Sequence, residues 1–360
     1  GDYFLLDSAN QEVQLNPDYI VNEEDEPYVI IGDTDWMDEV MGTGILQNYQ
    51  LSVSGGTEKT RYFLSGSYYD ETGILVNSFF KRYQLRSNVE SQITDRLTVG
   101  NNLNLTRTYQ NNYGGPQWEI LLNNTFPMVP VLEPYDREGN FNGAWNGGLP
   151  IQRNPLGLAL RGYHDNILYS VTDNFYAELE LPFSITYRLN ASVYFRNQFL
   201  RDFVPDYREG LYGSVPKAGD AVTERDSRYT LRGLLENTLN FSREFGRNSI
   251  TILAGISTDA SNYERVDVRG LGQTHPSLDQ IGSVITSSPS DSHIEEHRLQ
   301  SYLGRLMYSF DDKYYFTGSI RRDGSSRFGP NNQYGNFPSF ALKWRVSREG
   351  FMQNFESISD

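Results

Sequence analysis

Three short motifs in this chain carry residue types that do chemistry elsewhere. His293-Ile294-Glu295-Glu296-His297 has the H-x-x-E-H spacing of one class of zinc peptidases. That spacing works on a helix, where positions i and i+4 converge on one metal ion. Here it follows Ser-Ser-Pro-Ser-Asp-Ser and runs into an alternating segment, and on a strand residues four apart are separated by roughly 13 Å. The expectation is a polar loop meeting a strand, with no metal site. Asp136-Arg137-Glu138-Gly139-Asn140 is an acidic turn without the spacing or closing Glu of a calcium loop, so it reads as a turn with Gly139 at positive φ. Asp323-Gly324-Ser325-Ser326-Arg327-Phe328-Gly329 lacks the Lys-Ser/Thr and the helix of a phosphate loop and reads as structural. The chain has no cysteine and four histidines, and no Ser-His-Asp arrangement is evident. Nothing here points to an enzyme.

Aromatic and amide side chains concentrate in one place. Between Asn111 and Asn154 lie Tyr113, Trp118, Phe126, Tyr135, Phe141 and Trp145, among Asn and Gly. Aromatic faces stack on sugar rings or peptide side chains while amides supply hydrogen bonds, which is how binding pockets are built. Tyr113, Trp118, Tyr135 and Trp145 are the candidate substrate contacts. The competing expectation is that these rings pack the loop on itself. The acidic run Glu23-Glu24-Asp25-Glu26 reads as solvated surface.

The elements that must position these residues announce themselves by period two. From Tyr62, one face carries Tyr62, Leu64, Gly66 and Tyr68, and the other Phe63, Ser65, Ser67 and Tyr69. Tyr187, Leu189, Ala191, Val193 and Phe195 oppose Arg188, Asn190, Ser192 and Arg196, and Tyr302, Gly304, Leu306 and Tyr308 oppose Ser301 and Arg305. Strands are predicted at 48–55, 60–70, 80–90, 96–108, 168–180, 184–200, 226–242, 248–260, 297–310, 313–323 and 335–346, with a short helix near 34–41 capped by Thr34 or Asp35. Residues 1–47 are otherwise acidic and irregular, and 48–360 hold the strands and loops. Turns alternate between short (55–59, 91–95, 181–183, 244–248, 311–313) and long (70–80, 109–167, 201–225, 261–296, 323–335).

Composition narrows the class. Hydrophobic residues are 38% and aromatics 14% of 360 residues, with 25 Tyr and 20 Phe. No run approaches the roughly 18 apolar residues of a spanning helix. A net charge of −15 argues against nucleic-acid binding. A soluble β-sandwich fits the composition but has no reason to sort its loops by end. An antiparallel up-and-down transmembrane β-barrel does, with short periplasmic turns and long outer loops. Arginine on a mid-strand lipid face costs about 2–4 kcal/mol. Arg86, Arg188, Arg196 and Arg305 are therefore expected to face the lumen.

Three blocks carry a family resemblance: Thr34–Ile74 (TDWMDEVMGTGILQNYQLSVSGGTEKTRYFLSGSYYDETGI), Phe79–Asn104 (FFKRYQLRSNVESQITDRLTVGNNLN) and Leu299–Met352, with its YYFTGSIRRDGSSRFGPNNQYGNFPSFALKW core. They are similar, in order, to the SusC/RagA-type TonB-dependent outer-membrane transporters of Bacteroidetes. The resemblance implies a barrel of about 22 strands, of which this chain supplies about eleven. It also implies a plug domain and TonB box that this chain does not show. The chain opens with Gly-Asp-Tyr and is read as processed or as an internal stretch of a longer polypeptide. The implied activity is import of glycans or oligopeptides. The implied partners are a SusD-like lipoprotein, the TonB complex, membrane lipid and a dimer of transporter–lipoprotein pairs. No cofactor is implied, and calcium in the outer loops is left open. Two other readings stand beside this one, a passive porin or adhesin barrel and a soluble glycan-binding module.

Overall fold

The computed structural model describes residues 33–111, 116–130, 132–135, 139–142, 153–205, 221–275 and 277–352, with two short strands near the start and residues 116–120 described by backbone alone. The elements in chain order are β1 (Phe4–Leu6), β2 (Val13–Leu15), α1 (Trp36–Val40), β3 (Ile45–Gly56), β4 (Thr60–Thr72), β5 (Phe79–Thr94), β6 (Leu97–Asn111), α2 (Pro116–Thr125), α3 (Pro155–Leu160), β7 (Tyr163–Leu181), β8 (Ile185–Val204), β9 (Val222–Phe245), β10 (Asn248–Gln273), β11 (Val284–Ser287), β12 (Asp291–Phe310), β13 (Tyr314–Ser325) and β14 (Tyr334–Trp344). β1 and β2 pair as a small hairpin, so the first 47 residues are not wholly irregular.

Each main strand hydrogen-bonds the next, antiparallel, in the order β3-β4-β5-β6-β7-β8-β9-β10-β12-β13-β14, with β11 added beside β10. β3 and β14 are the outer edges among the described residues, so the sheet is a partial barrel of eleven consecutive strands. Strand length rises from 12 residues in β3 to 26 in β10 and falls to 11 in β14. Short connections (57–59, 95–96, 182–184, 246–247, 311–313) gather at one end and long ones (73–78, 112–162, 205–221, 274–290, 326–333) at the other. In the tight 311–313 turn, Asp311 and Asp312 take φ of 55° and 57°, which a short polar side chain tolerates.

Register makes the two faces continuous. Leu51, Gly66, Leu85, Leu105, Val171, Phe195 and Leu231 are successive cross-strand partners from β3 to β9. On the opposite face, one residue along, run Ser52, Ser65, Arg86, Asn104, Thr172, Tyr194 and Arg232. From β8 to β14 the apolar row continues as Tyr187, Leu239, Ala254, Gly304, Ile320 and Pro338. Strand side chains alternate, so one aligned register suffices to gather every apolar row on one side. No layer of described residues lies over that side, and Leu51 is 81% and Leu342 83% exposed. A sheet whose apolar face is bare and whose polar face is inward is what hydrocarbon outside and water inside require.

The packed apolar core lies away from the sheet, at the long-loop end. Val40 of α1, Leu121 of α2 and Ala159 of α3 meet there, flanked by Met41, Leu75, Val76 and Leu158. Asp35 caps α1 by accepting from the Met37 and Asp38 amides at 2.9 and 3.2 Å. Trp36, one turn below Val40, donates its indole N–H to the Val129 carbonyl at 3.0 Å.

The strands overrun the predicted segments at this end. The segment 261–296, expected to be a loop, is largely ladder, and strand also takes up 201–204 and 222–225 at the ends of the other: β9 and β10 pair residue for residue from Asn248↔Phe245 to Leu271↔Val222. Beyond the membrane both faces meet water, so the alternation fades while the backbone pairing persists. Helices α2 and α3 were likewise not foreseen in 109–167.

The two faces should respond oppositely to charge. In the full-length protein, Leu103→Arg on the apolar face is expected to lose about 2–4 kcal/mol, measured by urea unfolding in phospholipid vesicles. Asn102→Arg, its neighbour on the polar face, is expected to be near neutral.

Candidate functional site

The polar face is a wall of braced side chains. Arg188 donates to the Glu178 carboxylate at 3.2 Å, and its guanidinium lies 4.5 Å from the Tyr176 ring centre. Tyr176 in turn donates its hydroxyl to Glu90 at 2.5 Å. Asn174 donates to both Asn190 (2.9 Å) and Ser192 (2.7 Å), and Asn190 donates to Glu236 at 3.1 Å. Arg188, Asn190, Glu236 and Thr238 line an open depression of about 290 Å³. Amide-to-amide and amide-to-carboxylate chains of this kind fix side-chain directions across strands.

Arg86, Arg188, Arg196 and Arg305 all lie on this face, which the register gives directly. They are not brought together, being spread over β5, β8 and β12. Arg196 donates to Gln198 at 2.9 Å, and the buried Gln198 donates on to Asn166 at 2.9 Å. Arg86 and Arg305 have no hydrogen-bond or ion-pair partner among the described residues. Two of the four arginines are therefore structural braces, and two present free guanidinium groups.

Further charged groups on the same face are held by neighbouring side chains. Asp226, 3% exposed, is gripped by Arg228 (2.7 Å) and Arg265 (3.0 Å), and Arg232 forks onto Asp259 at 2.9 and 2.7 Å. Arg82 lies over the Tyr69 ring with its Nε buried and unpartnered. The sequence signal for the pairs on β9 and β10 was the density of Arg and Asp in 222–269.

Of the four aromatic candidates, only the Tyr135 side chain falls within the described residues. It bridges to Phe141 with ring centres 5.2 Å apart, and Arg161 covers Phe141 at 4.5 Å. Tyr113 and Trp145 lie outside the described residues, as does the side chain of Trp118 on α2. The loop they belong to is organised by Asn154, which is fully buried. Its amide donates to the Pro134 and Asn142 carbonyls at 2.8 Å each, and its oxygen accepts from the Gly157 amide at 2.9 Å, capping α3. The His293–His297 motif lies within β12, with both histidines on strand. Gly139 takes φ of 82°, and residues 136–138 beside it lie outside the described residues.

One long loop is strapped to the outward face of β7 and β9. In the 274–290 connection, Asp279 accepts from the Tyr163 hydroxyl at 2.6 Å and lies 3.7 Å from Arg225, which also donates to the Asp279 carbonyl at 2.6 Å. The Tyr163 hydrogen bond, first among several contacts, holds the Asp279 carboxyl below the usual carboxylate range.

Two measurements follow from this packing. Asn154→Ala removes a cap and two amide-to-carbonyl hydrogen bonds, an expected loss of about 2 kcal/mol, read as faster amide exchange over 154–161. The Asp279 strap stabilises its loop above the unfolded carboxylate value of about 3.9, because the folded value is depressed. That contribution should disappear as pH falls through the depressed value, seen as increased exchange over 274–290 in acid, and Asp279→Asn should remove the pH dependence.

No family model matches the chain. It is 30% identical over 340 residues to a TonB-dependent receptor of Formosa agariphila, covering 91% of this chain and 33% of the relative. It is 26% identical over 362 residues to the TonB-dependent receptor SusC of Bacteroides thetaiotaomicron, covering 91% of this chain and 34% of SusC. Its backbone superposes on the RagAB peptide transporter with a TM-score of 0.71 at 23% identity, over 89% of this chain and 36% of that one. The chain thus spans about a third of the length of the curated relatives it matches. Along nearly its whole length, and with a sheet of one bare apolar face and one braced polar wall, the chain is similar to a stretch of TonB-dependent receptors such as SusC, and it shares the outer-membrane barrel fold of RagAB.

Proposed function

We propose that the receptor containing this stretch imports oligopeptides or oligosaccharides across the outer membrane, driven through TonB and capped outside by a SusD-like lipoprotein. The observation that carries this is the continuous two-faced sheet, in a chain similar to SusC over 91% of its length. The described residues hold no group of three or more His, Cys, Asp or Glu able to bind a metal ion. What the wall does is hold and release. The braced Arg188 and Arg196 keep the lining rigid, while the unpartnered Arg86 and Arg305 meet the plug or the carboxylates and hydroxyls of passing cargo. Tyr135 and its neighbours at the long-loop end offer ring faces at the mouth, and Tyr113, Trp118 and Trp145 are proposed as further cargo contacts. Pairing of two receptor–lipoprotein units belongs to the same proposal.

A passive porin is the other reading, and energy coupling separates the two. Uptake of labelled oligopeptides or oligosaccharides by cells expressing the full-length receptor should stop on deletion of TonB or addition of a protonophore. Uptake that survives both makes the barrel a passive pore. Within the active reading, Arg86→Gln and Arg305→Gln should each reduce uptake by about fivefold, the worth of one modest charge-assisted hydrogen bond, without changing urea stability.

A further inference from the structure

We propose that the outward face of β5–β7, where the apolar band meets the long loops, binds the phosphate of an anionic lipid headgroup in the outer leaflet. Arg107 is the centre of the site. It stands on the outward row Tyr68, Tyr83, Arg107, Tyr169. Its guanidinium lies 5.8 Å from the Tyr83 ring centre and 5.7 Å from that of Tyr169, and its Nε donates to the Tyr169 hydroxyl at 3.3 Å. Two rings thus hold the planar cation from either side. Its two terminal nitrogens have no acceptor among the described residues.

The neighbours on this face are arranged in the order a lipid needs. One row toward the short turns are Gly66, Leu85, Leu105 and Val171, a surface for acyl chain. One row toward the long loops is Lys81, paired with Asp70 at 3.4 Å and also outward. Hydrocarbon, tyrosine and cation succeed one another as acyl chain, polar linkage and phosphate do in an outer-leaflet lipid. An outward arginine costs about 2–4 kcal/mol at mid-membrane and about 0–1 near the interface. The border position explains why Arg107 is tolerated. It does not explain why the guanidinium is clamped between rings with its fork free, the geometry that suits two-pronged capture of phosphate. The pattern recurs across the sheet, where Arg322, on the outward face of β13, lies 4.8 Å from the Tyr334 ring centre.

The site rests on the outer-membrane orientation proposed above, and the test keeps the two apart. The full-length receptor is placed in nanodiscs of phosphatidylcholine doped with diphosphoryl lipid A, extracted in mild detergent, and its retained lipid counted by native mass spectrometry. Wild type should retain diphosphoryl lipid A but not its dephosphorylated form, and inorganic phosphate should not displace it. Arg107→Gln should lower occupancy by about tenfold, with Arg107→Lys and Lys81→Gln intermediate. Equal retention by wild type and Arg107→Gln, equal retention of the dephosphorylated lipid, or displacement by free phosphate would overturn the proposal. Heat-modifiable migration verifies that each variant is folded. A receptor that fails to enter nanodiscs at all sinks the barrel orientation itself, whereas one that enters and retains no lipid A sinks only this site.

Discussion

Every feature of this sheet follows from one constraint: inside hydrocarbon a backbone N–H or C=O must find its partner within the protein. Eleven strands satisfy it by pairing each with its sequence neighbour, from β3 through to β14. That arrangement leaves side chains to deal with two solvents at once. Because alternation has period two, a single register error would turn a strand's leucines inward and its arginines into lipid. The unbroken rows from Leu51 to Leu231 and from Tyr187 to Pro338 show that register held across the whole width. Stability here resides in the ladder and in the lipid, and among the described residues the three-helix cap at the long-loop end is what resembles the core of a water-soluble domain.

The polar wall shows how a surface can be both rigid and receptive. Most of its charges are spent internally: Arg188 on Glu178, Arg232 on Asp259, and Arg228 and Arg265 on Asp226. A charge already satisfied by a neighbour in fixed geometry has little left to offer a ligand. Arg86 and Arg305 are among the groups that remain unspent, and they stand far apart, which suits contact with large or extended partners better than capture of a single small ion.

The sequence was most legible where its two faces meet two solvents. The paired runs around Tyr62–Tyr69 and Tyr187–Arg196 revealed strand, register and orientation together, because lipid outside and water inside stamp a period of two on the chain. Legibility failed where that contrast ended. The upper halves of β9 and β10 stand in water on both faces, so Arg225, Arg265 and Asp267 look like a charged loop although they form continuous ladder. The small helices divided. α1 was legible from its Asp35 cap, whereas α3, six residues long, is too short to show a helical period and is held by Asn154 and by contacts with distant loops. The site was legible only in part: period two gave the face of the four arginines, but which of them are braced depends on cross-strand neighbours such as Glu178 and Gln198, which spacing along one strand cannot reveal.

The apolar cap carries a consequence for the order of assembly. Its pieces come from residues 36–41, 75–76, 121 and 156–159, and the first two reach the last two only because β3, β4, β5 and β6 traverse the membrane between them. Val40 cannot bury its side chain against Leu121 and Ala159 until those two hairpins have crossed. Closure of Val40 on Leu121 and Ala159 is therefore a late event, a latch that shuts after insertion and then opposes its reversal. Pulling any one of these hairpins back would expose the buried side chains to water before it reached the lipid.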